Sequence, residues 1–451
     1  MLKLLVVLAG IALVCYASLW FVGGATTLTW ERQPSVIGPS TPLTVRVSSS
    51  YGIARIRAFV EQGKVRCQVL DLSTGLGRMT FFKRKASTEN ATFTVQAASC
   101  PGLAGGAAKV AVDVKSADPR GRTDSIEGAV RVSLQPAAVH TGFEPRYVPH
   151  TGVTVVKYTV AGDWIDTGVH AGQYRFRAFP LNGGDLVPGS DAQLISFFTI
   201  PWDANPDDPV VVFVRAADGR ELTASVRMVI ERRTFRQRDI KLTTKFLSRA
   251  VGDILGGNDG SDLIANFKRI NAQVRTANAA RLTELSRDTA NRVLWEGAFL
   301  QLPKSSVQGQ YADSRNYLFE GEPVDKQVHL GIDLASTRNT PVPAANSGKV
   351  KLAERLGIYG NCVVIDHGLG LMTLYAHLSR IDVRPGADVA KGQTVGLSGM
   401  TGLAGGDHLH FGMLVDGVEA NPAKLFERNW VAKNIAPVVP AAGLEKPLKG
   451  K

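Results

Sequence analysis

Between residues 26 and 232 apolar and polar positions alternate in short runs, among them 43–47, 56–60 and 92–95, and Gly, Pro, Asn and Asp separate one run from the next. Period-two alternation predicts half-buried antiparallel strands, and many such runs closed by turn residues predict β-sandwiches. An internal repeat divides the region. Val114-Lys115-Ser116-Ala117-Asp118 recurs as Val214-Arg215-Ala216-Ala217-Asp218, each followed by an arginine-containing turn and a closing strand, 129–132 and 225–229. A repeat of about 100 residues is the size of an immunoglobulin-like domain. Two such modules are expected, 26–135 and 136–232.

After residue 232 the period changes. Beyond the break at 256–260, Ser261 is an expected N-cap, and Leu263, Phe267, Ile270 and Val274 recur at helical spacing. This predicts a helical connector, 233–298, without the sustained heptads of a coiled coil. Arg232, Arg233, Arg236, Arg238, Lys241, Lys245 and Arg249 crowd its start. A solvated basic helix face is the expectation there, rather than a nucleic-acid site. From 299 to 430 the pattern returns to strands, at 348–352, 363–365, 371–375 and 394–397, with glycines marking the turns. That stretch predicts a small antiparallel sheet, so the whole chain reads as mainly β. A tail rich in Pro and Lys, 431–451, is expected to be flexible.

Ahead of the β-rich region lie nineteen uncharged residues, 4–22, preceded by Lys3. The length matches the roughly 20 residues that cross a bilayer and exceeds the usual core of a cleaved signal. Residues 1–25 are therefore expected to be a transmembrane signal anchor, with Trp20 and Phe21 at the outer interface. The small residues Ala17 and Ser18 keep a cleaved signal peptide open as the alternative. On either reading the bulk of the chain is exported, and no nucleic-acid partner is expected. Cys15 belongs to the apolar segment, and Cys362 lies in an apolar run where a small buried hydrophobe is the default. Cys67 and Cys100 share one β-rich region, and an oxidising compartment permits a disulfide between them. Sequence separation alone leaves their Cα distance open.

Length and charge add two bounds. At 451 residues the chain exceeds one typical domain, and about three are expected at ~150 residues each. With 52 basic and 40 acidic residues the formal charge is +12, which favours an anionic partner such as nucleic acid, an acidic membrane surface or an anionic cell wall. Charge does not choose among them.

The candidate chemistry is concentrated between 328 and 411. Five of the eight histidines lie there. His329-Leu330-Gly331-Ile332-Asp333 is an H-x-x-x-D, His408-Leu409-His410 is an H-x-H, and Leu374-Tyr375-Ala376-His377-Leu378 places another histidine inside an apolar run. Two imidazoles and a carboxylate make a three-ligand zinc set with one position left for solvent, the arrangement of a catalytic site. On a strand, the two side chains of an H-x-H share a face, so one can bind metal while the other reaches the open position. No H-E-x-x-H occurs, so histidine must do the work of a base. His140, His150 and His170 stand alone and read as surface or loop residues.

Over about 130 residues these motifs resemble the lysostaphin-type, or LytM-domain, zinc endopeptidases that cut the peptides of bacterial peptidoglycan. The likeness runs from Phe299-Leu300-Gln301-Leu302-Pro303 through the H-x-x-x-D, Tyr359-Gly360-Asn361, Asp366-His367-Gly368 and Val389-Ala390-Lys391-Gly392-Gln393 to Gly406-Asp407-His408-Leu409-His410-Phe411. The resemblance implies a peptidase domain at 299–430 with Zn2+ held by His329, Asp333 and His410. His377 and His408 would be the catalytic pair, and His367 has no family role. It further implies a peptidoglycan substrate and a location in the cell envelope with the bulk in the periplasm. The sequence does not state the function of the β-sandwich modules: holding the peptidase away from the membrane, covering its groove and binding wall-remodelling proteins all stay open. Two departures stand out: Gly412 follows Phe411 where the family usually carries an acidic residue, and Asp407 replaces a small residue or proline. The competing expectation is a wall-binding scaffold or hydrolase activator that no longer cuts, against which the full histidine set speaks.

Overall fold

A computed structural model describes residues 26–439 apart from 39, 76–86, 97–98, 119–120, 218 and 258–261, together with Gly10 and Val14. Apart from Gly10 and Val14, the expected anchor at 1–25 lies outside the described residues, as do the Ser261 cap and residues 440–451 of the expected flexible tail. Residues 431–439 depart from that expectation, because Arg428–Asn434 is a helix and Val431, Ile435, Val438 and Val439 are buried against the fold. Among the described residues no helix is long and apolar enough to cross a membrane. The chain is mainly β, and its contacts divide it into two compact units.

The first unit is built on residues 26–138, with 161–165 and 215–221. Thr26–Trp30, Thr41–Ser49 and Ser87–Val95 form a three-stranded antiparallel sheet. A five-stranded sheet runs in the order Val36–Ile37, Thr123–Val132, Gly106–Ser116, Ile53–Gln62, Val65–Ser73. Alternation in Thr41–Ser49 turns Val45 and Val47 inward. They meet Phe93, Ile56, Val60, Val110 and Val112 in one core drawn from both sheets. Cys67 and Cys100 are joined by a disulfide, with Cα atoms 5.5 Å apart.

The second unit holds 139–160, 166–214 and the described residues from 222 to 439. In it the basic segment departs from expectation. Arg238 and Lys241 lie on a strand, Gln237–Leu242, which pairs in parallel with Asp313–Phe319; only Lys245 and Arg249 reach a helix. The reason is local: Ile240 and Leu242 alternate with charged residues at period two and pack into a core with Leu247, Phe267 and Tyr317. Glu322–His329 completes this three-stranded sheet and ends on His329.

Three helices follow the strand. Helix α1, Thr244–Leu255, is capped by the Thr243 hydroxyl, which accepts from the Phe246 amide, and stops at Gly256 with φ 81°. Helix α2, Leu263–Arg269, is capped by Asp262, whose carboxylate accepts from the amides of Ile264 and Ala265. One π-helical stretch, Ile270–Val274, then leads into α3, Arg275–Arg287.

The C-terminal part is a larger antiparallel sheet than expected. Eight strands take part, in the order Ser306–Gly309, Ile332–Ala335, Leu409–Val415, Leu371–Leu378, Asn361–Asp366, Gly348–Arg355, Asp388–Val389, with Val418–Ala420 pairing Leu409–Val415. Leu371–Leu378 is buried at every position, its two polar side chains Thr373 and His377 included, so its sequence shows no regular alternation of apolar and polar residues. Met372, Leu374 and Ala376 pack under Leu282 and Leu285 of α3. On the other face Tyr375 meets Phe411 edge-on, at 5.4 Å between centroids. Arg177 fixes the 416–417 turn beside this sheet. Its guanidinium donates to Asp416 Oδ1 at 2.6 and 3.0 Å and to the carbonyls of Ser286 and Arg287.

Candidate metal centre

Strand register brings the H-x-x-x-D to the H-x-H. Ile332–Ala335 pairs with Leu409–Val415 so that Asp333 lies opposite His410, and His410 lies opposite Ala376 on the next strand. His329 reaches the same point from the end of the neighbouring sheet. The three donor atoms converge: His329 Nε2 is 2.9 Å from Asp333 Oδ1 and 2.9 Å from His410 Nδ1, and His410 Nδ1 is 3.0 Å from Asp333 Oδ1. All three residues are buried and form a group able to hold a metal ion.

Hydrogen bonds behind these atoms fix their roles. His329 Nδ1 donates to the Gln310 carbonyl at 2.9 Å, which leaves Nε2 with a lone pair facing the cluster. Arg315 Nη2 donates to Asp333 Oδ2 at 2.6 Å and so turns Oδ1 inward. Burial opposes the Asp333 charge, but His329 foremost, then His408 and His410, outweigh it and hold the carboxyl well below its usual range. Burial lowers His410 to about 4, keeping its imidazole neutral. Two imidazole nitrogens and a carboxylate oxygen, crowded within 3.0 Å and backed by donors on their far sides, are a donor set that fits zinc.

Two more imidazoles face this cluster. The His377 ring lies 4.9 Å from that of His408 and 5.7 Å from that of His410. His377 Nδ1 donates to the Thr401 carbonyl at 2.8 Å, and His408 Nδ1 to the Gly406 carbonyl at 2.8 Å, so each keeps Nε2 for the site. His408 Nε2 is 3.4 Å from Asp333 Oδ1. Burial, with the neighbouring imidazoles, lowers the His377 pKa far below 6.5. For His408 burial acts in the same direction, but the hydrogen bond and charge of Asp333 prevail and raise it.

The loop that carries Thr401 is held from α1. Arg249 donates to the carbonyls of Met400 and Ala404, and Asp253 accepts from the Gly402 amide. A groove of about 630 Å³ opens over the centre, between these loops, the strands of Arg238 and Arg315, and the start of α3.

All five expected site residues therefore meet. His367 does not join them: it is buried, with Nδ1 donating to the Ser347 carbonyl and Nε2 2.7 Å from Thr373 Oγ1. Of the isolated histidines, His140 is exposed on a strand, His150 is buried in a turn against Phe235, and His170 sits half-buried on a strand, stacked on Phe213. The surface-or-loop expectation thus fails for His170, because a ring on a strand can be covered by its cross-strand neighbour. Asp407 accepts from Ser398 Oγ at 2.6 Å and from the Asn339 amide, tying the His408 loop down. Sequence reasoning missed Arg315, the carbonyls of Gln310 and Thr401, and Gly331. A Cβ on Gly331 would lie 2.5 Å from His410 Nε2. Carbonyls carry no side-chain signature, and Arg315 looks like any strand arginine.

A groove on an antiparallel sheet over a donor set able to hold a metal ion, with two further imidazoles beside it, is the arrangement of a metallopeptidase domain. Residues 327–422 match Peptidase family M23, so this stretch is an M23, or LytM-type, domain. Peptidoglycan DD-endopeptidase ShyA of Vibrio cholerae is 44% identical over 104 residues, 23% of this chain and 24% of that protein. DD-carboxypeptidase/endopeptidase Mpg of Neisseria meningitidis is 40% identical over 99 residues, 22% and 23% of the two chains. The matched stretch thus spans about a quarter of the length of these relatives. The catalytic domain of lysostaphin from Staphylococcus simulans is 27% identical, with a TM-score of 0.24, covering 28% of this chain and 95% of that domain.

Proposed function

We propose that this protein is a zinc-dependent endopeptidase that hydrolyses amide bonds in peptidoglycan stem peptides or cross-links. The observation that carries the reading is the convergence of His329 Nε2, Asp333 Oδ1 and His410 Nδ1 within 3.0 Å, with the Nε2 atoms of His377 and His408 left for proton work. The similarity of 327–422 to named peptidoglycan endopeptidases supports the substrate class.

In this reading His329, Asp333 and His410 hold the ion. Bound there, Zn2+ would supply Lewis-acid chemistry, polarising the scissile carbonyl and acidifying the attacking water. His377, fixed as the Nδ1–H tautomer by Thr401, and His408, fixed by Gly406, divide the remaining work. One accepts the proton of the attacking water and passes it to the leaving amine; the other donates a hydrogen bond to the developing oxyanion. Burial of His377 favours a neutral, accepting imidazole, and the Asp333 carboxylate favours a donating one at His408.

The organisation that fits this role is an inner-membrane anchor at 1–25, two β-sandwich modules at 26–135 and 136–232, a connector at 233–298, the peptidase domain at 299–430 and a tail at 431–451. It places the peptidase in the periplasm against the wall. The test is direct: purified protein should contain about one zinc per chain and release muropeptides from isolated sacculi, and chelation should stop the release. Zinc-loaded protein that leaves sacculi intact would overturn the reading.

A further inference from the structure

Three arginines line the groove over the metal centre: Arg238, Arg275 and Arg315. Two are already engaged. Arg315 is bonded to Asp333, and Arg238 donates to the Gln308 carbonyl at 2.7 Å with Asp313 4.0 Å away. Arg275 is different. Its Nη2 donates to Asn271 Oδ1 at 3.0 Å, its buried Nε, like that of Arg315, has no hydrogen-bond partner, and among the described residues it enters no ion pair, although its charge acts on the Glu419 carboxylate that lines the same groove. A guanidinium carries five donors in a planar fork suited to a carboxylate, and leaving a buried one unmatched is costly.

The backbone aims this side chain. Arg275 follows directly on the π-helical stretch Ile270–Val274, and its amide donates to the Ile270 carbonyl five residues back. A π-turn shifts every following side chain around the helix axis relative to an unbroken α-helix, and such turns gather at functional sites. Both ends of the device are fastened. Asn271 Nδ2 donates to Asp325 Oδ2 at 2.6 Å, and Asn278 Oδ1 accepts from the Ile358 amide at 3.0 Å. The loop fixed by Asn278 carries Tyr359, whose ring stands 5.7 Å from that of His410. Arg275 is therefore held in register with the metal ligands although it lies outside the M23 stretch.

We propose that Arg275 is the anion-recognising residue of the groove, binding a free carboxylate on the peptide that lies across the metal centre. The preferred substrates are then peptides whose residue next to the scissile amide keeps its carboxylate, and their carboxamide counterparts are poor ones. The proposal rests on the peptidase reading for the choice of ligand, but binding and turnover test the two separately.

The experiment uses the zinc-loaded full chain and a pair of cross-linked muropeptides that differ only in a free carboxylate or a carboxamide at that residue, with binding measured by calorimetry and cleavage by chromatography. The parent should bind the acid about tenfold or more tightly than the amide, the worth of one charge-assisted hydrogen bond. Arg275→Gln should bind both as the parent binds the amide, with zinc content and Tm unchanged, and Arg275→Lys should keep part of the preference. Arg238→Gln should keep it whole. Equal affinity for acid and amide in the parent, a preference that survives in Arg275→Gln, or one lost equally in Arg238→Gln overturns the assignment. If the preference behaves as expected while neither ligand is cut, the anion site stands and the peptidase reading fails.

Discussion

The His377 ring lies 4.9 Å from the His408 ring, although regular alternation along Leu371–Leu378 would put His377 on the opposite face of the sheet. His408 and His410 share the face of Ala376 and Leu374. Residue 377 should therefore point with Thr373 and Tyr375. A β-bulge changes this. Asn361 pairs with Leu378 and Val363 with Tyr375, so Ala376 and His377 together oppose Cys362 alone. His377 takes φ 62°, a left-handed conformation that costs about 1–2 kcal/mol, and its ring swings to the metal side. Bulges re-aim side chains in this way beside active sites.

The proposed division between ligands and proton handlers predicts two classes of variant. His410→Ala and Asp333→Ala should lose zinc and turnover together. His408→Ala and His377→Ala should keep zinc while turnover falls by roughly 10²-fold or more. Metal analysis beside muropeptide release checks both, and His408→Ala cutting sacculi at the parent rate would refute the division.

Gly331 is expected to be intolerant of any side chain. A methyl group there meets His410 Cε1 and Nε2 at 2.5 Å and the Phe411 carbonyl oxygen at 2.9 Å, and neither the sheet backbone nor a ligating ring can retreat without displacing the donor atom. Gly331→Ala should reduce zinc affinity about 10–100-fold, the scale seen when ligand support is lost. Competition with a chromophoric chelator measures it.

His367 predicts a pH dependence of stability. Burial holds its folded pKa at about 4 against the ordinary 6.5, so the unfolded chain takes up a proton first as the pH falls. The stabilisation is complete above about 6.5 and is lost across the window down to about 4, by at most about 3 kcal/mol. His367→Gln should be less stable than the parent at about pH 7, because the contacts to Ser347 and Thr373 are disturbed, and should lose less on going to about pH 4.5. Urea unfolding at the two pH values tests this, and parallel losses in both proteins would refute it.

The Cys67–Cys100 disulfide closes a loop of 33 residues, and its removal should destabilise the first unit by about 3–4 kcal/mol. Replacing both cysteines with serine should lower the unfolding midpoint of that unit while leaving zinc binding by the M23 domain unchanged. Calorimetry of the parent and variant reads both.

The motifs of the site were legible in the sequence because metal ligation and proton transfer demand particular side chains: the proposed ligands His329, Asp333 and His410 and the proposed proton handlers His377 and His408 stand out by residue type and spacing. The strands of the first unit were legible because one of their faces is wet, which leaves alternation in the chain. Register and the packing of neighbouring elements decided the rest. The parallel partner Asp313–Phe319 made a strand of residues expected on a helix. The bulge opposite Cys362 carried His377 across the sheet, and Asp333 received its partner Arg315 from a strand of another sheet. Such outcomes depend on backbone pairing between distant segments, which no local pattern encodes. The sequence named the chemistry, and tertiary structure aimed it.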